Sequence, residues 1–349
     1  MSNVGEILTR LIDAPSVSGY EIPARKVFIS EAKDYADEIF SDVMGNTYAV
    51  VKTGSDKKIM IAAHIDQVGM MVKGFTSSGD IMITTRGFSA KALLSQKVII
   101  HTSKGPIKGV IGGKPPHLDK DEKLPKVKDL VVDIGAVDKK DIEDLGITIG
   151  DPISIDAHID ELGVKGSVAG PALDDKACVT AMLYALQNID KKKLKADVYF
   201  VATTQEEVGL RGATVAAKRL EPDLGIALDV TFGISNQTTA KDIGEIKLGA
   251  GPVIGIGQNF FKPFVDKIIK IAKEKKIDHQ LEPVFGSSGT DAWAIQVAGK
   301  GVITALLSIP IRYMHSPVEL GKLADIENTG KLLAYVLEET DPAEFTFDI

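Results

Sequence analysis

The sequence predicts an α/β fold, a central mixed sheet flanked by helices, with a small β-barrel domain inserted into it. Three observations lead there. In residues 1–70 and 166–349, strand-length apolar runs alternate with helix-patterned segments, as in an open sheet covered on both faces. Residues 71–165 change texture to short alternating runs broken by Gly and Pro, without a convincing long helix, which suits a barrel or sandwich. Five apolar runs end in His, Asp or Glu, and ligands of open α/β sheets gather at strand ends. The expected division is a discontinuous α/β domain, 1–70 with 166–349, and an inserted domain, 71–165.

Taken in order, Leu8, Leu11 and Ile12 share one face of a first helix, which the Ala14-Pro15-Ser16 turn would end. Ser18-Gly19-Tyr20-Glu21 opens a second amphipathic segment through Val27, Phe28, Ala32 and Tyr35. Asp42-Val43-Met44-Gly45-Asn46 reads as a turn between short strands, and residues 57–64 as a strand ending in His64. In the insertion, Lys97-Val98-Ile99-Ile100-His101 and residues 107–112 are typical short runs, with a polar, charged loop at 116–128. Residues 177–189 are helical in pattern, 196–203 (ADVYFVAT) form a buried strand, 212–220 a short helix, and 225–229 a strand ending at Asp229. Residues 261–275 are amphipathic with Phe264, Ile268 and Ile271 on one face, and 300–307 read as another buried strand.

At 349 residues, with 26% charged and 44% apolar side chains, the composition is that of an ordinary soluble globular chain long enough for two domains. The net charge is -7 and the lysines are scattered, a poor match to nucleic-acid binding. A single cysteine, Cys178, excludes an internal disulfide and any cysteine-rich zinc module, so a metal would have to sit on His and carboxylates. The first residues lack the basic and apolar regions of a secretory signal, and no apolar run is long enough to span a bilayer. A cytoplasmic protein without membrane partners is expected.

The sequence is organised around Thr204-Gln205-Glu206-Glu207-Val208-Gly209, two adjacent carboxylates at the end of a buried strand. An isolated Glu-Glu pair is ordinarily a solvated face. Four further runs end alike, at His64-Ile65-Asp66, Leu173-Asp174-Asp175, Leu228-Asp229 and Met314-His315. Strand ends that together carry two His and several carboxylates point to one shared metal site. Two divalent ions about 3.5–4 Å apart can polarise a carbonyl and generate a hydroxide at neutral pH, provided a carboxylate bridges them.

His64-Ile65-Asp66, Ala172-Leu173-Asp174-Asp175-Lys176, Gln205-Glu206-Glu207-Val208-Gly209-Leu210-Arg211-Gly212, Asp229-Val230-Thr231 and Arg312-Tyr313-Met314-His315-Ser316-Pro317-Val318-Glu319 occur in the order found in the tetrahedral (TET) dinuclear metallo-aminopeptidases, which the chain resembles over nearly its whole length. The resemblance implies two divalent ions per subunit, zinc or cobalt, one held by His64 and Asp229, the other by Glu207 and His315, with Asp174 bridging. It implies that Glu206 is the general base that takes a proton from the attacking water and delivers it to the leaving amine, and that Asp66 orients His64. It further implies peptide substrates and a homododecamer built from dimers, with the inserted domain as a PDZ-like assembly module. Gln67 stands where the family often has Glu, Lys176 where Arg is common, and Cys178 where Gly is common, which leaves the surroundings of the ligands open.

Among the remaining candidates, Thr290 and Asp291, at the end of the Gly286-Ser287-Ser288-Gly289 loop, are expected to grip the substrate's amino end. That loop lacks the Lys-Ser/Thr ending of a phosphate-binding loop. Asp175 reads as a hydrogen-bonding neighbour, Cys178 as a core residue, and His101, His158 and His279 as structural or exposed, while a role for His117 near the site stays open. A carboxypeptidase or N-deacylase on the same dinuclear centre, and a non-catalytic assembly protein retaining the metal site, are the alternatives. An older association of the family with cellulose hydrolysis has little support, because a glycosidase needs two carboxylates flanking a sugar, not a metal cage.

Overall fold

The computed structural model describes residues 3–115, 117–118 and 125–345. The expected loop at 116–128 therefore lies largely outside the described residues; His117 is an exposed turn residue. In chain order the strands are Glu38–Ser41 (β1), Thr47–Val51 (β2), Lys58–His64 (β3), Gly69–Phe75 (β4), Ile81–Arg86 (β5), Lys97–Thr102 (β6), Gly105–Val110 (β7), Val131–Val132 (β8), Pro152–Ile155 (β9), Asp160–Glu161 (β10), Ser167–Gly170 (β11), Asp197–Thr203 (β12), Leu224–Phe232 (β13), Val253–Gly257 (β14), Gln280–Val284 (β15), Ile303–Ile311 (β16) and Glu319–Lys322 (β17).

Eight of them form one mixed sheet in the order β1-β2-β12-β3-β13-β16-β14-β15. Its centre, β12, β3, β13 and β16, is parallel, so the carboxyl ends of these strands open on the same edge. The strands are apolar throughout because both faces are covered. Helices Leu173–Asn188, Lys262–Glu274 and Leu323–Glu339 pack on one face, with Asn3–Ile12 behind the first of them; Arg211–Leu220 and Asp291–Gln296 pack on the other. Helix Asn3–Ile12 buries Val4, Ile7, Leu8 and Leu11, the spacing of one helical face. The long helix Leu323–Glu339, whose sequence mixes Glu, Asn, Thr and Gly with the apolar positions, was not anticipated.

The six strands β7-β6-β9-β4-β5-β8 make a second, antiparallel sheet. Val110 and Asp133 exchange backbone hydrogen bonds at 2.9 Å, linking the two ends of that sheet into a nearly closed barrel. The barrel has its own core, drawn from Val68 to Ile155, separate from the main one. Among the described residues no helix is long and apolar enough to cross a membrane.

Two elements end differently from the sequence expectation. The strand expected to stop at Asp229 runs on to Phe232, because Val230, Thr231 and Phe232 continue the ladder with Ile309, Pro310 and Ile311. The strand expected at 300–307 begins at Ile303, after a turn containing Gly299 and Gly301 in left-handed conformation, and extends to Ile311.

A polar tie fixes the turn that follows β12. Asn46 Oδ1 accepts the Thr204 N–H at 3.0 Å, while its Nδ2 donates to the Gly212 carbonyl at 3.0 Å and to Asp42 Oδ2 at 2.8 Å. Gly212 is required at this crossing, since a Cβ there would meet the Thr204 carbonyl oxygen at 2.3 Å and Asn46 Oδ1 at 2.4 Å. Asn46→Ala leaves a buried N–H and a buried carbonyl unpaired, and should lower unfolding stability by about 2–4 kcal/mol; urea denaturation of the variant against the parent checks this.

Candidate metal centre

β3 and β12 are paired so that His64 stands opposite Thr203, which brings the residues just beyond each strand side by side. Asp66 Oδ1 accepts the Glu206 N–H at 2.9 Å, and Oδ2 accepts the Glu207 N–H at 3.3 Å and the Ser18 hydroxyl at 2.6 Å. The two glutamates are thus held by their backbone, which leaves both carboxyl groups for other work. Asp174 enters at the first turn of Leu173–Asn188, next to a cis Asp174–Asp175 peptide, and His315 from the turn between β16 and β17. Glu319, in β17, accepts the backbone N–H of Asp174 and of His315, both at 2.9 Å. One buried carboxylate therefore positions two site residues that lie far apart in sequence.

The two oxygens of Asp174 face two imidazoles. His64 Nε2 lies 3.1 Å from Oδ1, and His315 Nε2 lies 3.2 Å from Oδ2 and 3.3 Å from Glu207 Oε2. His64 Nδ1 is 3.0 Å from the Asp66 carbonyl, which can only accept, so Nδ1 carries a proton, and in the neutral ring the Nε2 lone pair is then aimed at Asp174. Two lone pairs at that distance need a cation or a proton between them. The approach lacks hydrogen-bond geometry, and Asp174 Oδ1, Asp175 Oδ1 and Glu207 Oε1 are buried without a hydrogen-bond partner among the described residues. Two groups of ligand atoms, each within 4.8 Å of one another, could hold a metal ion: His64, Asp174, Asp175 and Asp229, and Asp174, Glu207 and His315. Asp174 belongs to both. The donor set, imidazole and carboxylate, fits zinc, cobalt or manganese.

The electrostatics tell the same story. Burial pushes the Glu206 carboxyl up to about 10, with His64 acting against it and Asp229, Asp291 and Glu207 adding to it. Burial and the neighbouring Asp175 drive Asp229 well above the usual carboxylate range. Asp174 is the exception: burial would raise it, but His315 and His64 outweigh burial and hold it low. His315, beside Asp174 and Glu207, rises to about 11. Acids held neutral and imidazoles held charged are what a pocket with surplus negative charge produces, and a divalent ion removes that surplus.

The backbone is strained here as well. Ala172, Gln205, Leu210, Tyr313 and His315 all have positive φ, between 55° and 62°, and all flank the cluster. Each such non-glycine residue costs about 1–3 kcal/mol and persists only where its surroundings dictate it.

His64, Asp174, Glu206, Glu207, Asp229 and His315 all line one cavity of about 670 Å³. Thr290 lines it too, while its hydroxyl caps helix Asp291–Gln296. Asp291 does not: it is buried behind the sheet end, accepting the Thr203 hydroxyl at 2.6 Å, because a helix begins there and turns it inward. Asp66 meets His64 Nδ1 through its carbonyl at 3.0 Å and through carboxylate Oδ1 at 3.6 Å, and the same carboxylate holds the Glu206 and Glu207 turn. Asp175 Oδ2 accepts the His64 backbone N–H at 3.1 Å. The departures at 67 and 176 touch each other: Lys176 Nζ donates to Gln67 Oε1 at 2.6 Å and to the Ala14 carbonyl at 2.9 Å, and burial brings the amine down to about 7. Cys178 is fully buried. His101 bonds Ser154, His158 bonds Asp13, and His279 faces the Ile277 carbonyl, all outside the cavity lining.

Sequence reasoning gave no role to Glu319, although the residue sits in the motif around His315. It also missed Arg86 and Glu282, which line the cavity from the barrel and from β15. An acidic residue just after the His315 turn was the available signal for Glu319; for the other two only the folded chain supplies one.

The sequence profile of the M42 glutamyl aminopeptidase family matches residues 45–332. A lysyl aminopeptidase of Pyrococcus furiosus is 39% identical over 98% of this chain and 99% of its own. The structure of an aminopeptidase from Desulfurococcus kamchatkensis superimposes with a TM-score of 0.91 at 35% identity, covering 97% of this chain and 96% of that one. The TET1 peptidase of Pyrococcus horikoshii, which can assemble into a tetrahedron or a large octahedral shell, gives 0.86 at 32% identity, covering 97% and 100%. With its strand-end cluster of imidazoles and carboxylates and these likenesses over nearly its full length, the chain belongs to the M42 glutamyl aminopeptidase family of metal-dependent aminopeptidases.

Proposed function

We propose that the protein removes residues one at a time from the free amino ends of short peptides, with two divalent ions, zinc or cobalt, at this centre. The observation that carries the reading is Asp174, shared by two groups of ligand atoms, with Glu206 beside them and its carboxyl free of hydrogen bonds among the described residues. His64 and Asp229 would hold one ion, Glu207 and His315 the other, and Asp174 both. When bound, the ion pair supplies a polarised scissile carbonyl and a water acidified enough to attack at neutral pH.

The chain's own residues do the rest. Glu206 accepts the proton of the attacking water on its carboxylate and hands it to the leaving nitrogen. Asp66 fixes the Glu206 backbone, so the carboxyl is aimed without being tied. Asp175 and Glu319 hold the main chain of His64, Asp174 and His315, which keeps both imidazoles in place. The charged, confined cavity favours a cationic amino terminus, in keeping with exopeptidase action. The proposed setting is the cytoplasm, and the proposed assembly is a homododecamer built from dimers, supported by the shells formed by the Pyrococcus horikoshii relative. Enclosure would restrict access to short or unfolded peptides.

Three outcomes test this. Glu206→Gln should lower kcat/KM by roughly 10²–10⁴-fold, while zinc at a hundred times its Kd still stabilises the variant by about 2.7 kcal/mol; calorimetric melting with and without metal separates the two effects. Peptides with free amino ends should be cleaved and their acetylated counterparts left intact, as read by mass spectrometry; the reverse outcome would indicate a deacylase. Light scattering at working concentration should give the mass of a dozen subunits, and a monomer would end the assembly proposal.

A further inference from the structure

We propose that Glu282 is the charge at the far end of the side-chain subsite and selects substrates whose N-terminal residue is basic, lysine above all. The inference rests on the aminopeptidase reading. The cavity that holds the imidazole and carboxylate cluster continues along β13 past Asp229 to Thr231 and Phe232, and across the sheet to Leu306, Ser308, Glu282 and Val284. Glu282 is half-buried in that wall, and its Oε1 accepts the Thr231 hydroxyl at 2.7 Å. Among the described residues no Lys, Arg or His forms an ion pair with it. Burial pushes its carboxyl above the ordinary range, with the Thr231 bond acting against that. A carboxylate in a cavity wall without a cation is an expensive arrangement unless a ligand brings the cation.

The spacing fits such a ligand. Asp229 and Thr231 are two residues apart on the same face of β13, so the Thr231 end of the cavity lies about 7 Å farther along the strand. An extended lysine carries its ammonium about 6 Å beyond the Cα, at ordinary bond lengths. Leu306 and Val284 offer apolar surface to the four methylenes, and the Ser308 and Thr231 hydroxyls offer oxygen to the ammonium. Outside the cluster, the other charged side chain in this lining is Arg86. It also lines a neighbouring cavity of about 230 Å³ with Val17, Met71 and Glu207, so it stands at the junction of the two, whereas Glu282 belongs to the first alone.

The test uses the metal-loaded protein and the amides of lysine, norleucine and glutamate, norleucine having the lysine stem without its charge. The parent should favour lysine over norleucine in kcat/KM by about ten-fold or more, Glu282→Gln should remove that preference, and Glu282→Lys should move it toward glutamate. Titration calorimetry with free L-lysine and L-norleucine gives the same comparison without turnover, and there too the lysine advantage should disappear in Glu282→Gln. A parent that prefers norleucine or glutamate, or a Glu282→Gln protein of normal melting temperature that keeps its lysine preference, would overturn the proposal. If no amide is hydrolysed with any metal, the aminopeptidase reading fails, and the calorimetric comparison still decides whether Glu282 reads a basic side chain.

Discussion

Negative charge gathered where water is scarce is the constraint on which the rest of this structure depends. Asp66, Asp174, Asp175, Glu206, Asp229, Asp291 and Glu319 are all buried at one edge of the central sheet. Ionised groups in such surroundings carry large desolvation penalties unless each meets a partner. Some are satisfied by backbone N–H groups, as Asp66 and Glu319 are. Those that face one another across His64 and His315 are not, and their unpartnered oxygens mark where positive charge belongs. The parallel arrangement of β3, β12, β13 and β16 creates the problem and the site together, since it delivers four chain segments to one edge.

The site is aimed by polar groups that hold its backbone. Asp66 carries the Glu206 and Glu207 turn, Asn46 fastens that turn to β2 and to Gly212, and Glu319 spans Asp174 and His315. Each of these ties joins segments more than a hundred residues apart or clamps a strained backbone. The positive φ at Gln205, Leu210 and His315 is thereby held against its preference for relaxation. Rigid support of this kind is needed where ligand atoms must stay within a few tenths of an ångström of a metal's shell.

The barrel takes part in the site. The chain passes from His64 at the end of β3 to Gly69 at the start of β4 with four residues between, so the barrel cannot move far without moving the site edge. Arg86, at the end of β5, lines the same cavity as His315, and Gly87 leaves the room that a Cβ would take from Val68. The insertion thus shapes access to the cluster whatever it contributes to assembly. The two cavities that meet at Arg86 divide the ground around Glu207 between them.

Read linearly, the chain disclosed its periodicities and its chemistry-bearing strand ends. Hydrophobic alternation is local, so β3, β12 and helix Lys262–Glu274 were legible, as was the barrel-like texture of the insertion. His64, Asp174, Glu206, Glu207, Asp229 and His315 stood out because His or a carboxylate at the end of an apolar run is locally anomalous. What such a run could not disclose is where a side chain points once its neighbours are in place. Asp291 looked like a substrate contact and is a buried partner of Thr203; Asp66, expected beside the His64 imidazole, stands there and also accepts the Glu206 and Glu207 N–H groups, a second task the sequence did not disclose. Nothing in the linear sequence singles out Glu282, and only the fold brings it from β15 to Thr231 on β13, across two intervening strands. The physical reason is one of range: secondary structure follows from neighbours a few residues away, whereas the partner of a buried charge is set by strand order and register, which join residues tens to hundreds of positions apart.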